Sequence, residues 1–96
     1  MTYVVAFEAN NKVRDYTKFF DTISEIGEMM SIIKNVVIIR VTDHTKIPDV
    51  DALAHYLMPC FDTLTDKLLI YNVTGQRPNG LQTEDTWKWL NDKISG

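Results

Sequence analysis

Met29-Met30-Ser31-Ile32-Ile33-Lys34-Asn35-Val36-Val37-Ile38-Ile39-Arg40-Val41 is the stretch that decides the fold. Val36 to Val41 is the most β-prone segment of the chain, since β-branched side chains are stiff at χ1 and pack well on a pleated surface. Met29 to Lys34 is a second strand-like run. The Lys34-Asn35 pair between them reads as a tight turn, so the segment is a β-hairpin.

Toward the N-terminus, Tyr3-Val4-Val5-Ala6-Phe7 is apolar on both faces, as a central strand should be. The polar stretch Glu8 to Lys12 breaks it. From Asp15 the period changes: Tyr16, Phe19, Phe20, Ile23 and Ile26 draw one apolar stripe on a helix, with Asp15 as its N-cap and Gly27 as its stop. Beyond the hairpin, Thr42 to Lys46 is a polar loop. Pro48 suits the first turn of a second helix whose stripe is Val50, Leu53, Ala54, Leu57 and Phe61, kinked or ended near Pro59. Lys67 to Val73 reads as a fourth strand and Thr74 to Gly80 as a loop. Thr83, Asp85 and Thr86 open a last helix in which Trp87, Leu90 and Ile94 share a face.

That order, with right-handed crossovers, predicts an α+β ferredoxin-like β-α-β-β-α-β sandwich with an additional C-terminal helix, one domain over residues 1–96. The expected sheet order is 4-1-3-2, antiparallel throughout. Glu8, Lys34, Asn35, Asp66 and Lys67 would then gather at one end of the sheet, with Thr42, Asp43 and Thr74 at the other.

Composition narrows the function. Ninety-six residues allow one core, and so small a domain buries its surface inefficiently, for which dimerisation is a natural remedy. The single cysteine, Cys60, cannot form an internal disulfide, and the N-terminal run lacks a basic region and is too short to span a bilayer, so a cytoplasmic protein is expected. Ten Lys and Arg against thirteen Asp and Glu give no basic footprint, which argues mildly against nucleic acid as a partner.

Several segments together resemble a known family: Phe7-Glu8, Ile39-Arg40-Val41-Thr42, Leu57-Met58-Pro59, Asp66 to Gly75 (DKLLIYNVTG) and Glu84-Asp85-Thr86-Trp87-Lys88-Trp89-Leu90. The chain resembles the small SinR-like proteins, which look like relatives of the CRISPR-associated Cas2 proteins. The resemblance implies a homodimer of ferredoxin-like subunits. Some members of that group are metal-dependent nucleases acting on RNA or DNA, and others are structural bridges without catalysis. The nucleases carry an aspartate at the end of strand 1, where acids of two subunits hold a divalent ion. Glu8 stands at the matching position here. Its extra methylene displaces the oxygens, and Mg²⁺ demands near-ideal octahedral geometry. The helical C-terminus also departs from the extra strand that many Cas2 proteins lend to their partner.

Glu8 is therefore the one nameable catalytic and metal candidate, for Mg or Mn, against the plainer reading of a solvated acid ending a strand. Asn10 and Asn11 are turn formers that could assist a metal through water. Asp43-His44 lacks a nucleophile, His55 lacks a second ligand at zinc spacing, and Cys60 reads as a small core residue. The loop around Gly75 lacks the P-loop pattern, leaving Arg77 as a candidate anion contact. Tyr3, Tyr71, Trp87 and Trp89 invite base stacking, but no interleaved basic residues accompany them. Trp87 is expected in the core and Trp89 on another face of its helix, as a candidate protein or nucleic-acid contact. Composition and resemblance together favour a homodimeric interaction module, with a divalent-metal endonuclease as the alternative.

Overall fold

The structure is a computed structural model that describes residues 1–11, 15–76, 80 and 82–94, with side chains described as far as residue 92. Its elements run β1 (Thr2–Glu8), α1 (Thr17–Ser24), β2 (Gly27–Ile33), β3 (Val36–Val41), α2 (Val50–Leu57), a short 3₁₀ turn (Met58–Cys60), β4 (Lys67–Asn72) and α3 (Glu84–Ile94). The described residues form an α+β fold: one four-stranded antiparallel sheet in the order β2-β3-β1-β4, with three α-helices. Read from the β4 edge, that order is 4-1-3-2.

The hairpin forms where the sequence places it, and Asn35 takes the left-handed backbone of its turn, with φ 64°. β1 lies between β3 and β4, pairing Val4 with Ile38 on one side and Tyr71 on the other. This central position explains why its residues are apolar on both faces. Tyr3 and Val5 enter the main core with Phe19 and Ile23 of α1, Val37, Ile39 and Val41 of β3, and Leu53 and Leu57 of α2. Val4 points the other way. With Ile32 it packs on a smaller cluster built from Ile38 and from Leu90 of α3. The sheet therefore has α1 and α2 on one face and α3 on the other.

Several boundaries differ from the sequence expectation, each for a physical reason. Asp15 does not cap α1 in the expected position; Tyr16 is the residue before the helix, and the Asp15 carboxylate instead accepts hydrogen bonds from Thr17 N at 2.9 Å and Thr17 Oγ1 at 2.8 Å. Gly27 is not a helix stop but the first residue of β2, opposite Val41. A Cβ there would run into the Arg40 backbone carbonyl, so the close approach of β3 demands glycine. Asp49 caps α2, accepting from Ala52 N at 2.8 Å, and Pro48 precedes the cap. Regular α-helix ends at Leu57, and Pro59 lies in the 3₁₀ turn. Phe61 follows in extended conformation yet remains in the core against Phe7, Tyr16 and Phe19.

Candidate functional site

Glu8 ends β1, where the next residues leave the sheet. Its cross-strand neighbour on β4 is Lys67. The hairpin turn reaches the same end, because Phe7 N donates to Asn35 O at 3.0 Å. The result is a shallow depression of about 400 Å³ lined by Ala6, Phe7, Glu8, Lys34, Asn35 and Lys67, among others. One carboxylate and two ammonium groups share an apolar floor. The sequence placed these residues at one end of the sheet, and the structure brings them together there.

Beside this depression lies a network that sequence reading did not find. Asp66 Oδ2 accepts from Tyr16 Oη at 2.6 Å and from Asp62 N at 2.7 Å, while Oδ1 accepts from Asn10 N at 2.7 Å and Thr65 Oγ1 at 3.2 Å. Desolvation pushes this carboxyl upward, but hydrogen bonds from Tyr16, Asn10, Asp62 and Thr65 together outweigh it and hold the group down at about 2. Asp62 is likewise held below the usual carboxylate range, by the backbone N–H of Leu64 and the Asn11 amide. The network fastens the exit of β1, the entry to α1 and the approach to β4. Asn10 serves it through Nδ2 as well, donating to Thr65 O at 2.8 Å and to Glu8 Oε2 at 3.4 Å. Asn10 and Asn11 thus act as ties between loops. Their sequence signal was the pair of aspartates in Asp62-Thr63-Leu64-Thr65-Asp66, whose first member makes an Asx turn onto Leu64 N at 2.9 Å.

The donor set around Glu8 does not fit a hard divalent cation within one chain. Mg²⁺ and Mn²⁺ take several oxygen ligands, and two lysines lie where further carboxylates would be needed. Among the described residues, no group of three or more His, Cys, Asp or Glu side chains could hold a metal ion.

The other sequence candidates are dispersed. Arg77 lies outside the described residues. Trp89 is half-buried, packed with Trp87 against the Ile38–Leu90 cluster, and this corrects the expectation that it stands on a separate face. The reason is helical phase: Thr86, Trp89 and Leu90 follow i, i+3, i+4, so the buried stripe of α3 runs through Trp89. Tyr3 is fully buried under the helices and cannot stack a base; Tyr71 remains exposed. Asp43 forms a turn, accepting from Lys46 N at 3.1 Å, and His44 is exposed. His55 is exposed on α2. Cys60 is buried and forms no disulfide, and its thiol donates to Thr22 Oγ1 at 3.6 Å.

The outer sheet face carries a feature that the sequence indicated only through Tyr71. α3 covers the β2 and β3 side through Ile32, Ile38 and Leu90. Leu69 and Tyr71 on β4 point to that same side and remain 57% and 62% exposed. Among the described residues, no helix is long and apolar enough to cross a membrane. Compared with known proteins, the chain matches no family model and no curated protein.

Proposed function

We propose that this protein is a cytoplasmic, ferredoxin-like interaction module of Cas2-like type that works as a homodimer and performs no catalysis of its own. The observation that carries this reading is the uncovered apolar strip of Leu69 and Tyr71 on an edge strand. Large apolar side chains left exposed on an edge strand are costly to leave in water, and they mark surfaces that associate. Element order and strand order support the ferredoxin-like assignment. A single cysteine that is buried and in no disulfide suits a reducing compartment.

Glu8 supports the non-catalytic reading by its company. A carboxylate opposite Lys67 and near Lys34 is placed to pair with ammonium groups and not to gather a cation. The two lysines would serve a nucleic-acid strand as backbone contacts, which keeps nucleic acid as a partner that the module positions.

The test is a cleavage assay. Labelled single- and double-stranded RNA and DNA are incubated with the protein and Mg²⁺ or Mn²⁺, with EDTA and Glu8→Gln in parallel. The expected result is no cutting of any substrate by folded protein. Metal-dependent cutting that disappears with EDTA and in Glu8→Gln would overturn the reading and make the protein an endonuclease with its site at the end of β1.

A further inference from the structure

We infer that the homodimer forms by antiparallel pairing of β4 with β4 of a second copy, joining the two sheets into one; the inference rests on the homodimer reading above and specifies its geometry. β4 is the last strand of its sheet. Edge strands are normally blunted by inward charges, proline or bulges. The interior of β4, Leu68-Leu69-Ile70-Tyr71, has none of these, and its pairing with β1 runs without a register shift.

The direction of its free groups follows from one hydrogen bond. Val73 N donates to Thr2 O of β1 at 2.8 Å. Main-chain groups alternate sides along a strand, so Tyr71 and Leu69 also turn theirs toward β1. Leu68, Ile70 and Asn72 direct their N–H and C=O groups outward, away from the sheet.

A two-fold axis perpendicular to the sheet keeps each face on its own side, so only residues of like parity can stand opposite each other. Centring the axis on Ile70 places Ile70 opposite Ile70 of the second copy, with reciprocal N–H···O=C bonds, and Leu68 opposite Asn72. On the outer face, Leu69 then stands directly opposite Tyr71 of the second copy, and Tyr71 opposite its Leu69. The two exposed apolar residues become each other's cover, as an aliphatic–aromatic cross-strand pair in the closely spaced position.

A strand pair alone is small against the roughly 1,200 Å² that a stable dimer buries. The inner face supplies the remainder. Beside β4 lies a groove of about 460 Å³ between the strand and α2, lined by Val50, Ala54, Met58, Phe61, Leu68 and Ile70 together with the charged Asp51, Asp62, Asp66 and Lys67. Val50, Ala54 and Met58 follow i, i+4, i+8 along one side of α2 and its continuing turn, and Met58 is 45% exposed. In the paired sheets the two α2 helices approach across the axis and close this groove. Apolar side chains thus lie on both sides of the β4 edge. On the paired strands themselves no like charges face each other, because each Lys67 lies at the far end of the junction. That geometry also separates the two Glu8 side chains. Each stands beside its own Lys67, and Lys67 is three residues from the axis, so the two strand ends are roughly 20 Å apart.

The test uses charge pairs on the two exposed positions, where folding tolerates substitution. Sedimentation velocity and light scattering are run on the wild type, on Leu69→Lys/Tyr71→Lys and on Leu69→Lys/Tyr71→Glu, with circular dichroism to show that each is folded. In the proposed register the double lysine variant sets like charges opposite and weakens the dimer by roughly tenfold or more, whereas the Lys/Glu variant sets opposite charges together and remains dimeric. A dimer unaffected by the double lysine variant overturns the β4 junction while leaving the homodimer reading intact. Dissociation of both variants overturns the register, and with it the proposal. A wild type that stays monomeric overturns the homodimer reading itself.

Discussion

Gly27→Ala is the substitution whose cost the structure defines most sharply. Gly27 opens β2 opposite Val41, and its backbone needs no left-handed φ, so alanine meets no conformational penalty there. The obstacle is steric. An added Cβ would meet the Arg40 carbonyl oxygen and carbon and the Val41 Cα, all main-chain atoms of the neighbouring strand. A flexible side chain could swing away, but a strand can yield only by parting from β2. The backbone around it is held firmly, since Thr42 N and Asp43 N both donate to Ile26 O, at 2.9 and 3.1 Å. Overpacking of this kind costs about 1–3 kcal/mol, and the upper part of that range applies where backbone must move. For a domain of this size each kcal/mol lowers Tm by about 4–8 °C, so Gly27→Ala should melt roughly 8–24 °C lower. Gly75→Ala is the control: φ is 76° and nothing lies within 4 Å of the added carbon, so only the left-handed backbone penalty of about 1–2 kcal/mol applies. Thermal unfolding followed by circular dichroism gives both values. A Gly27→Ala protein that melts within about 2 °C of the wild type would refute the close approach, and with it the β2–β3 register at that end.

Two further substitutions test the parts that hold the site. The Asp66 carboxyl sits at about 2 in the folded protein, below its ordinary 3.8, so its contribution to stability is present above pH 4 and fades as pH falls toward 2. Asp66→Asn should therefore destabilise most at neutral pH, with the gap to wild type narrowing in acid; a gap independent of pH would contradict the network. Asp49→Ala removes the cap of α2 and should cost about 1 kcal/mol in urea or thermal unfolding, whereas an unchanged midpoint would show that Ala52 N needs no side-chain partner.

What the sequence made legible was periodic or local. Val36 to Val41 is a strand with the predicted bounds, because five β-branched apolar residues in six leave little competition. The apolar runs in Tyr3 to Phe7 and in Lys67 to Val73 likewise need only neighbours to be read, and they form β1 and β4. Gly27 misled because a glycine after a helical stripe resembles a C-cap; what fixes its role is the carbonyl of Arg40, thirteen residues away in sequence and adjacent only after β2 pairs with β3. Trp89 misled through helical phase: a stripe drawn through Trp87 and Leu90 leaves it outside, and the sheet surface beneath α3 decides that it lies inside. The Asp66 network joins residues from position 10 to position 66 and has no period at all. The grouping of Glu8 with Lys34 and Lys67 was legible from topology, since antiparallel order brings those strand ends together. The exposure of Leu69 was not, because an apolar residue in a strand reads as buried until the reach of α3 across the sheet is known.

The central claim is that the protein acts as a pair of copies. Sedimentation equilibrium of the wild-type protein, from about 1 to 100 µM, measures it directly. The account predicts a mass of twice 11.1 kDa across the upper part of that range, falling toward the monomer on dilution. A single species of 11.1 kDa at every concentration would contradict it.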